Sequence, residues 1–110
     1  MTEQETYMML ASLTAQLQGD ADNAQLYLSR AKVYVALGDK AKALDDLETA
    51  IAHDDKLAEA YMLRGQLRYQ LHDKNGSFED LQKAVSLDPS LLSSLTGEYK
   101  SKDAPKTFRF

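Results

Sequence analysis

AEAYMLRGQLRYQLHDKNGSFEDLQKAVSLDP, residues 58–89, decides the fold, because it is the second copy of an earlier stretch. Shifted back by 34 positions, residues 58–91 overlie residues 24–57 without a gap. Eleven pairs are identical: Ala24/Ala58, Tyr27/Tyr61, Arg30/Arg64, Leu37/Leu71, Asp39/Asp73, Lys40/Lys74, Asp46/Asp80, Leu47/Leu81, Ala50/Ala84, Asp54/Asp88 and Leu57/Leu91. Ordinary composition would supply roughly two. Val33/Leu67, Ile51/Val85, Ala43/Ser77 and Ala31/Gly65 keep their character. A repeat of this period is one supersecondary unit, which buries its apolar face against its neighbours.

Each copy reads as helix, turn, helix. In the first, Asp22 or Asn23 is placed to cap a helix running to about Leu37, with Gln25 spaced for a capping box from Asp22. Gly38 and Asp39 make the turn, the glycine accepting positive φ and the aspartate capping the second helix. Residues 40–53 form that second helix, with Leu44, Leu47, Ala50 and Ile51 as its inward stripe. Residues 57–72 and 74–87 repeat the plan. Asn75-Gly76 alone would signal a hairpin. The repeat register instead places it in the first turn of a helix, at a propensity cost of about 1 kcal/mol for the glycine.

The flanks keep the same interval. Thr2-Glu3-Gln4-Glu5 has the form of a capping box, and a helix over 3–18 should stop at Gly19. Its Leu10, Leu13 and Leu17 precede Leu44, Leu47 and Ile51 by 34 residues, as Asp20 precedes Asp54. The segment reads as a lone second helix, half of a decayed repeat; an unrelated amphipathic helix is the alternative. Asp88-Pro89 sets up a last first-type helix over 90–101, showing Leu91, Leu92, Leu95 and Tyr99. Tyr99 stands in the register of Ala31 and Gly65, where a following helix would need a small residue, so its ring is expected to cover the end of the stack. Residues 104–110 alternate without helical character and read as an extended arm.

Period and signature together resemble the tetratricopeptide repeat, a helix–turn–helix unit of 34 residues. Tyr61, Gly65, Ser77, Ala84 and Pro89 carry the likeness in the second copy, and Tyr27, Ala31, Tyr34, Gly38, Asp39, Ala43, Leu47 and Ala50 in the first. Arg30 and Arg64 stand where that family usually has Leu, Arg68 replaces the aromatic supplied by Tyr34, and Asp55 replaces the closing Pro. The resemblance implies an all-α fold: antiparallel helix–turn–helix repeats stacked as a short right-handed α-solenoid, one domain over residues 1–103. It also implies a concave groove on the inner face of the first helices. The first row there is Gln25, Leu28, Ser29, Lys32 and Val35; the second is Glu59, Met62, Leu63, Gln66 and Tyr69; the third is Ser93, Thr96 and Lys100. Some family members grip a peptide's terminal carboxylate with Lys, Arg and Asn on these rows. This chain keeps only Lys32 and Lys100 of that kind, with Leu63 and Gly97 where polar grips would stand.

Leu28, Lys32, Val35, Met62, Leu63, Gln66 and Tyr69 are therefore the expected binding residues, suited to an apolar or amphipathic peptide. Self-association, with the C-terminal arm filling its own or a neighbour's groove in a homodimer, is the alternative. The arm offers Phe108, Arg109 and Phe110, and residues 100–110 carry a net +3 against −7 for residues 1–99. An acidic body is a poor match for nucleic acid. No apolar stretch approaches the roughly 18 residues of a spanning helix, and the opening residues lack a secretory signal, so no membrane contact and a cytoplasmic location are expected. The absence of cysteine excludes disulfides and thiolate metal sites. His53 and His72 lack ligand spacing, and no phosphate loop or nucleophile elbow occurs; neither cofactor, metal nor enzymatic activity is expected.

Overall fold

Local capping chemistry sets the start of all but one of the longer helices, the exception being the one that Leu57 precedes. The computed structural model of the chain describes residues 1–95, and within them all regular structure is helical: α1 (Glu3–Gly19), α2 (Ala24–Ala36), α3 (Lys40–His53), α4 (Ala58–Gln70), α5 (Lys74–Leu87) and α6 (Leu91–Leu95). Thr2 and Glu5 close the capping box of α1: the Thr2 amide donates to Glu5 Oε1 at 2.9 Å, and the Glu5 amide donates to Thr2 Oγ1 at 3.1 Å. Asn23, not Asp22, caps α2, its Oδ1 accepting from the amides of Gln25 and Leu26. Asp39 and Asp73 cap α3 and α5 through the amides of Lys42 and Gly76. Asp20, Asp54 and Asp88 are the C-caps of α1, α3 and α5, at the 34-residue interval.

The turns inside the repeats are built alike. The Asp39 amide donates to Tyr34 O at 2.9 Å and the Gly38 amide to Val35 O at 3.0 Å; Asp73 and His72 do the same to Arg68 and Tyr69 at 2.8 and 3.0 Å. This pairing needs a left-handed residue at the turn. Gly38 supplies it at φ 80°, and His72 is forced into it at φ 68°. The repeated tyrosines act identically too. Tyr27 Oη donates to Ala21 O and Tyr61 Oη to Asp55 O, each pinning the loop before its own helix.

Side-chain size then decides the packing. The largest interfaces lie within the pairs α2/α3 and α4/α5, with α1 laid on α2, a lesser seam between α3 and α4, and α6 against α5. Ala31, Ala43, Ala50, Ala60 and Ala84 are fully buried, and Gly65 and Ser77 are buried as well. Small residues at these crossings let the helices approach closely, while Leu28, Leu47 and Leu67 fill the space between them. The stack is elongated, 48 × 31 × 24 Å, as a one-dimensional array should be. The continuation of the last helix to 101, the Tyr99 cover and the arm with Phe108, Arg109 and Phe110 lie outside the described residues.

Candidate functional site

The inner face of α2 and α4 is assembled from residues spaced three and four apart, and the structure divides the expected set. Gln66 is exposed and Tyr69 is 61% exposed on α4, with Met62 half-buried one turn earlier. Lys32 of α2 is exposed, but its Nζ lies 2.7 Å from Glu59 Oε2 of α4, which ties the two rows together. Val35 and Leu63 are half-buried against the core, so each offers only an edge.

Leu28 does not line the surface. It is 1% exposed and belongs to the core cluster with Ala24, Ala31, Ala43, Leu47, Ala50, Ala60 and Leu67. The small Ala24 and Ala31 on its own helix and Ala60 on α4 bring the helices close, and a leucine between them is drawn inward.

A hollow lies to one side of the expected groove. A cavity of about 440 Å³ opens between α1 and α2, lined by Met1, Thr6, Met9 and Leu13 on one side and Ser29, Lys32, Val33 and Ala36 on the other. It shares Ser29 and Lys32 with the expected surface. The α1 residues were missed, although the 34-residue match of Leu13 to Leu47 points to the same helix face.

Charge is concentrated elsewhere, inside the repeats. Arg30 clamps Asp46 with two parallel bonds, Nε to Oδ2 and Nη2 to Oδ1, both 2.7 Å. One repeat later Arg64 clamps Asp80 in the same way at 2.9 Å, and Arg68 Nη1 adds a third bond to Asp80 Oδ2 at 3.0 Å. Both carboxylates are buried, at 7% and 5% side-chain exposure. The hydrogen bond to Asp46 raises the Arg30 guanidinium above its ordinary value despite partial burial, and Asp80 does the same for Arg64. The guanidinium carbon of Arg30 lies 5.8 Å from the ring centroids of both Tyr27 and Tyr34, and that of Arg64 lies 5.7 Å from Tyr61. Burial raises the Tyr61 phenol above its usual range. These groups are internal and mutually satisfied, so they hold the repeats rather than meet a ligand. The paired identities of Arg30/Arg64 and Asp46/Asp80, sixteen residues apart in each copy, were the sequence signal for them.

The two histidines have different surroundings. His53 stacks on Tyr27 with ring centroids 5.8 Å apart and Nδ1 3.9 Å from Asp22 Oδ1, while His72 occupies the turn. Among the described residues no group of three His, Asp or Glu could hold a metal ion, and no helix is long and apolar enough to cross a membrane.

Paired antiparallel helices with small residues at the crossings, repeated at a 34-residue interval, define an α-helical repeat scaffold. The family model of the tetratricopeptide repeat matches residues 24–55 and 58–91, and the chain belongs to that family. Among solved structures, it superposes on the crystal structure of MamA with a TM-score of 0.74 at 18% identity, over 81% of this chain and 52% of that one. The chain thus spans about half the length of MamA. It also superposes on the first tetratricopeptide domain of Spaghetti (RPAP3), bound there to the HSP90 peptide SRMEEVD, with a TM-score of 0.70 at 24% identity over 84% and 78% of the two chains. No curated protein sequence matches the chain.

Proposed function

We propose that the chain is a protein-interaction module that binds an apolar or amphipathic peptide segment along the inner face of α2 and α4. The observation that carries this reading is Tyr69, a large aromatic left 61% exposed, in line with Gln66 and Met62 at i−3 and i−7. An exposed ring beside an adaptable methionine suits an apolar anchor, with Gln66 available to a peptide backbone. Membership of a family of repeat scaffolds and the peptide-bound Spaghetti domain support a peptide ligand. Charge argues against an acidic tail of the kind that domain holds, since Glu59 stands 2.7 Å from Lys32 Nζ and would face the incoming carboxylates.

The test is selection of binders from a random peptide display on the full chain, followed by titration calorimetry with variants. Tyr69→Glu should weaken the selected peptides by tenfold or more at an unchanged melting temperature, as expected for an interface anchor worth about 2 kcal/mol. Leu63→Glu would be a poor probe, because Leu63 packs on the core and its loss costs stability. Peptides that bind Tyr69→Glu as tightly as the wild type would place the binding surface elsewhere.

A further inference from the structure

In both complete repeats the second helix meets its first helix through Ala43, Leu47 and Ala50, and 34 residues on through Ser77, Leu81 and Ala84. All are buried except Leu81, which is half-buried. On α1 the same register holds Met9, Leu13 and Gln16, of which Met9 is 41% exposed and Gln16 is exposed. No described helix lies over this face, and the cavity of about 440 Å³ between α1 and α2 opens there. It is the seat that a first-type helix would take.

The opposite end of the stack presents the counterpart. α6 starts within one residue of the 34-residue register of α2 and α4, and its Leu92 is 38% exposed. Charge favours joining the two ends, for residues 1–95 carry a net −6 and residues 96–110 a net +2, α1 holds Glu3 and Glu5 and no cation, and Lys32 of the cavity lining is paired with Glu59. Fit favours it as well. Met9 stands where the complete repeats have Ala43 and Ser77, and Tyr99 where they have Ala31 and Gly65. Two bulky residues forbid the close crossing of a complete repeat, but an open cavity admits a ring.

We propose that α6 and the residues continuing it, from one copy of the chain, occupy the α1/α2 cavity of a second copy, joining molecules end to end. The occupant comes from another copy because α6 is held on α5, at the far end of a stack 48 Å long. The contact uses different surfaces on the two partners, so it leaves one seat and one α6 open in every pair.

That asymmetry provides the test. Sedimentation equilibrium of the full chain should show an average mass that rises with concentration and falls with added salt. A seat variant, Met9→Arg, and a tail variant, Tyr99→Glu, should each remain monomeric, with wild-type helical circular dichroism. Mixed together they should form a 1:1 pair and grow no further, because the mixture retains one intact seat and one intact tail. Ala36→Arg, on the exposed α2 rim of the cavity, serves as a second seat variant should Met9→Arg fail to fold. Tyr69→Glu should associate like the wild type, which separates this contact from the peptide surface. A wild-type chain monomeric at every concentration, a mixture with no heterologous pair, or seat variants that associate normally would each overturn the proposal.

Discussion

Asp80 accepts three hydrogen bonds from two guanidinium groups, whereas Asp46 accepts two from one. Removing a buried partner strands the opposing charge, at about 3–5 kcal/mol. Asp80→Ala should therefore destabilise by about that much, and Asp46→Ala by less, in urea denaturation followed by circular dichroism. Adding Arg64→Leu to Asp80→Ala should recover part of the loss, since it removes one stranded cation. Arg68, with Nε 4.0 Å from Asp73 Oδ2, has another carboxylate to turn to. His72 offers the opposite kind of change. It holds the left-handed turn position that Gly38 fills in the first repeat. The left-handed conformation costs a non-glycine residue about 1–2 kcal/mol, and the unfolded-state entropy of a glycine offsets roughly half of that. His72→Gly should raise stability by about 0.5–1 kcal/mol, and a lower urea midpoint would show that the imidazole does something for the fold.

Between helices, the crossing at Gly65 is the tight one. A Cβ there would stand 3.0 Å from Leu81 Cδ2 and 3.1 Å from Asp80 Cβ, and the latter, next to the backbone, has little freedom to move. Gly65→Val should cost about 1–3 kcal/mol by overpacking. At Gly76 an added Cβ would collide with the Asp73 carboxylate that caps α5. Asp39 caps α3 over a side-chain-bearing residue, Lys42, so a carboxylate can turn aside. The gain in helix propensity, about 1 kcal/mol, then leaves Gly76→Ala near neutral when both variants are compared with the wild type in thermal melts. On α1, hydrogen bonds from the Thr2 amide and hydroxyl hold the Glu5 carboxyl below its ordinary value. A depressed carboxyl stabilises above its unfolded value and loses that contribution as pH falls through the folded one. The first turn of α1 should fray on acidification below the usual Glu range, seen as lower protection of the Glu5 and Thr6 amides relative to their intrinsic exchange rates at each pH. Helix ends were legible because caps and turn residues act over three or four positions. The fate of Leu28 was not, because its burial depends on Ala60 and Leu67, more than thirty residues away. Arg30 and Arg64 read as departures from a leucine, and only the carboxylate sixteen residues on explains them.

Across the whole molecule, both guanidinium–carboxylate clamps lie inside a repeat, α2 to α3 and α4 to α5. The link seen across the inner face, Lys32 to Glu59, is half-exposed at both partners, where an ion pair contributes little. The stack therefore divides its strength unevenly, firm within each pair of helices and modest across the seam of α3 and α4. In a nearest-neighbour description of such arrays, strong units with weak coupling melt one at a time. Hydrogen exchange on Asp80→Ala should speed up through α4 and α5 while α2 and α3 keep most of their protection. For evolution the same division means that a repeat can be gained, lost or replaced as a cassette, carrying its own lock with it.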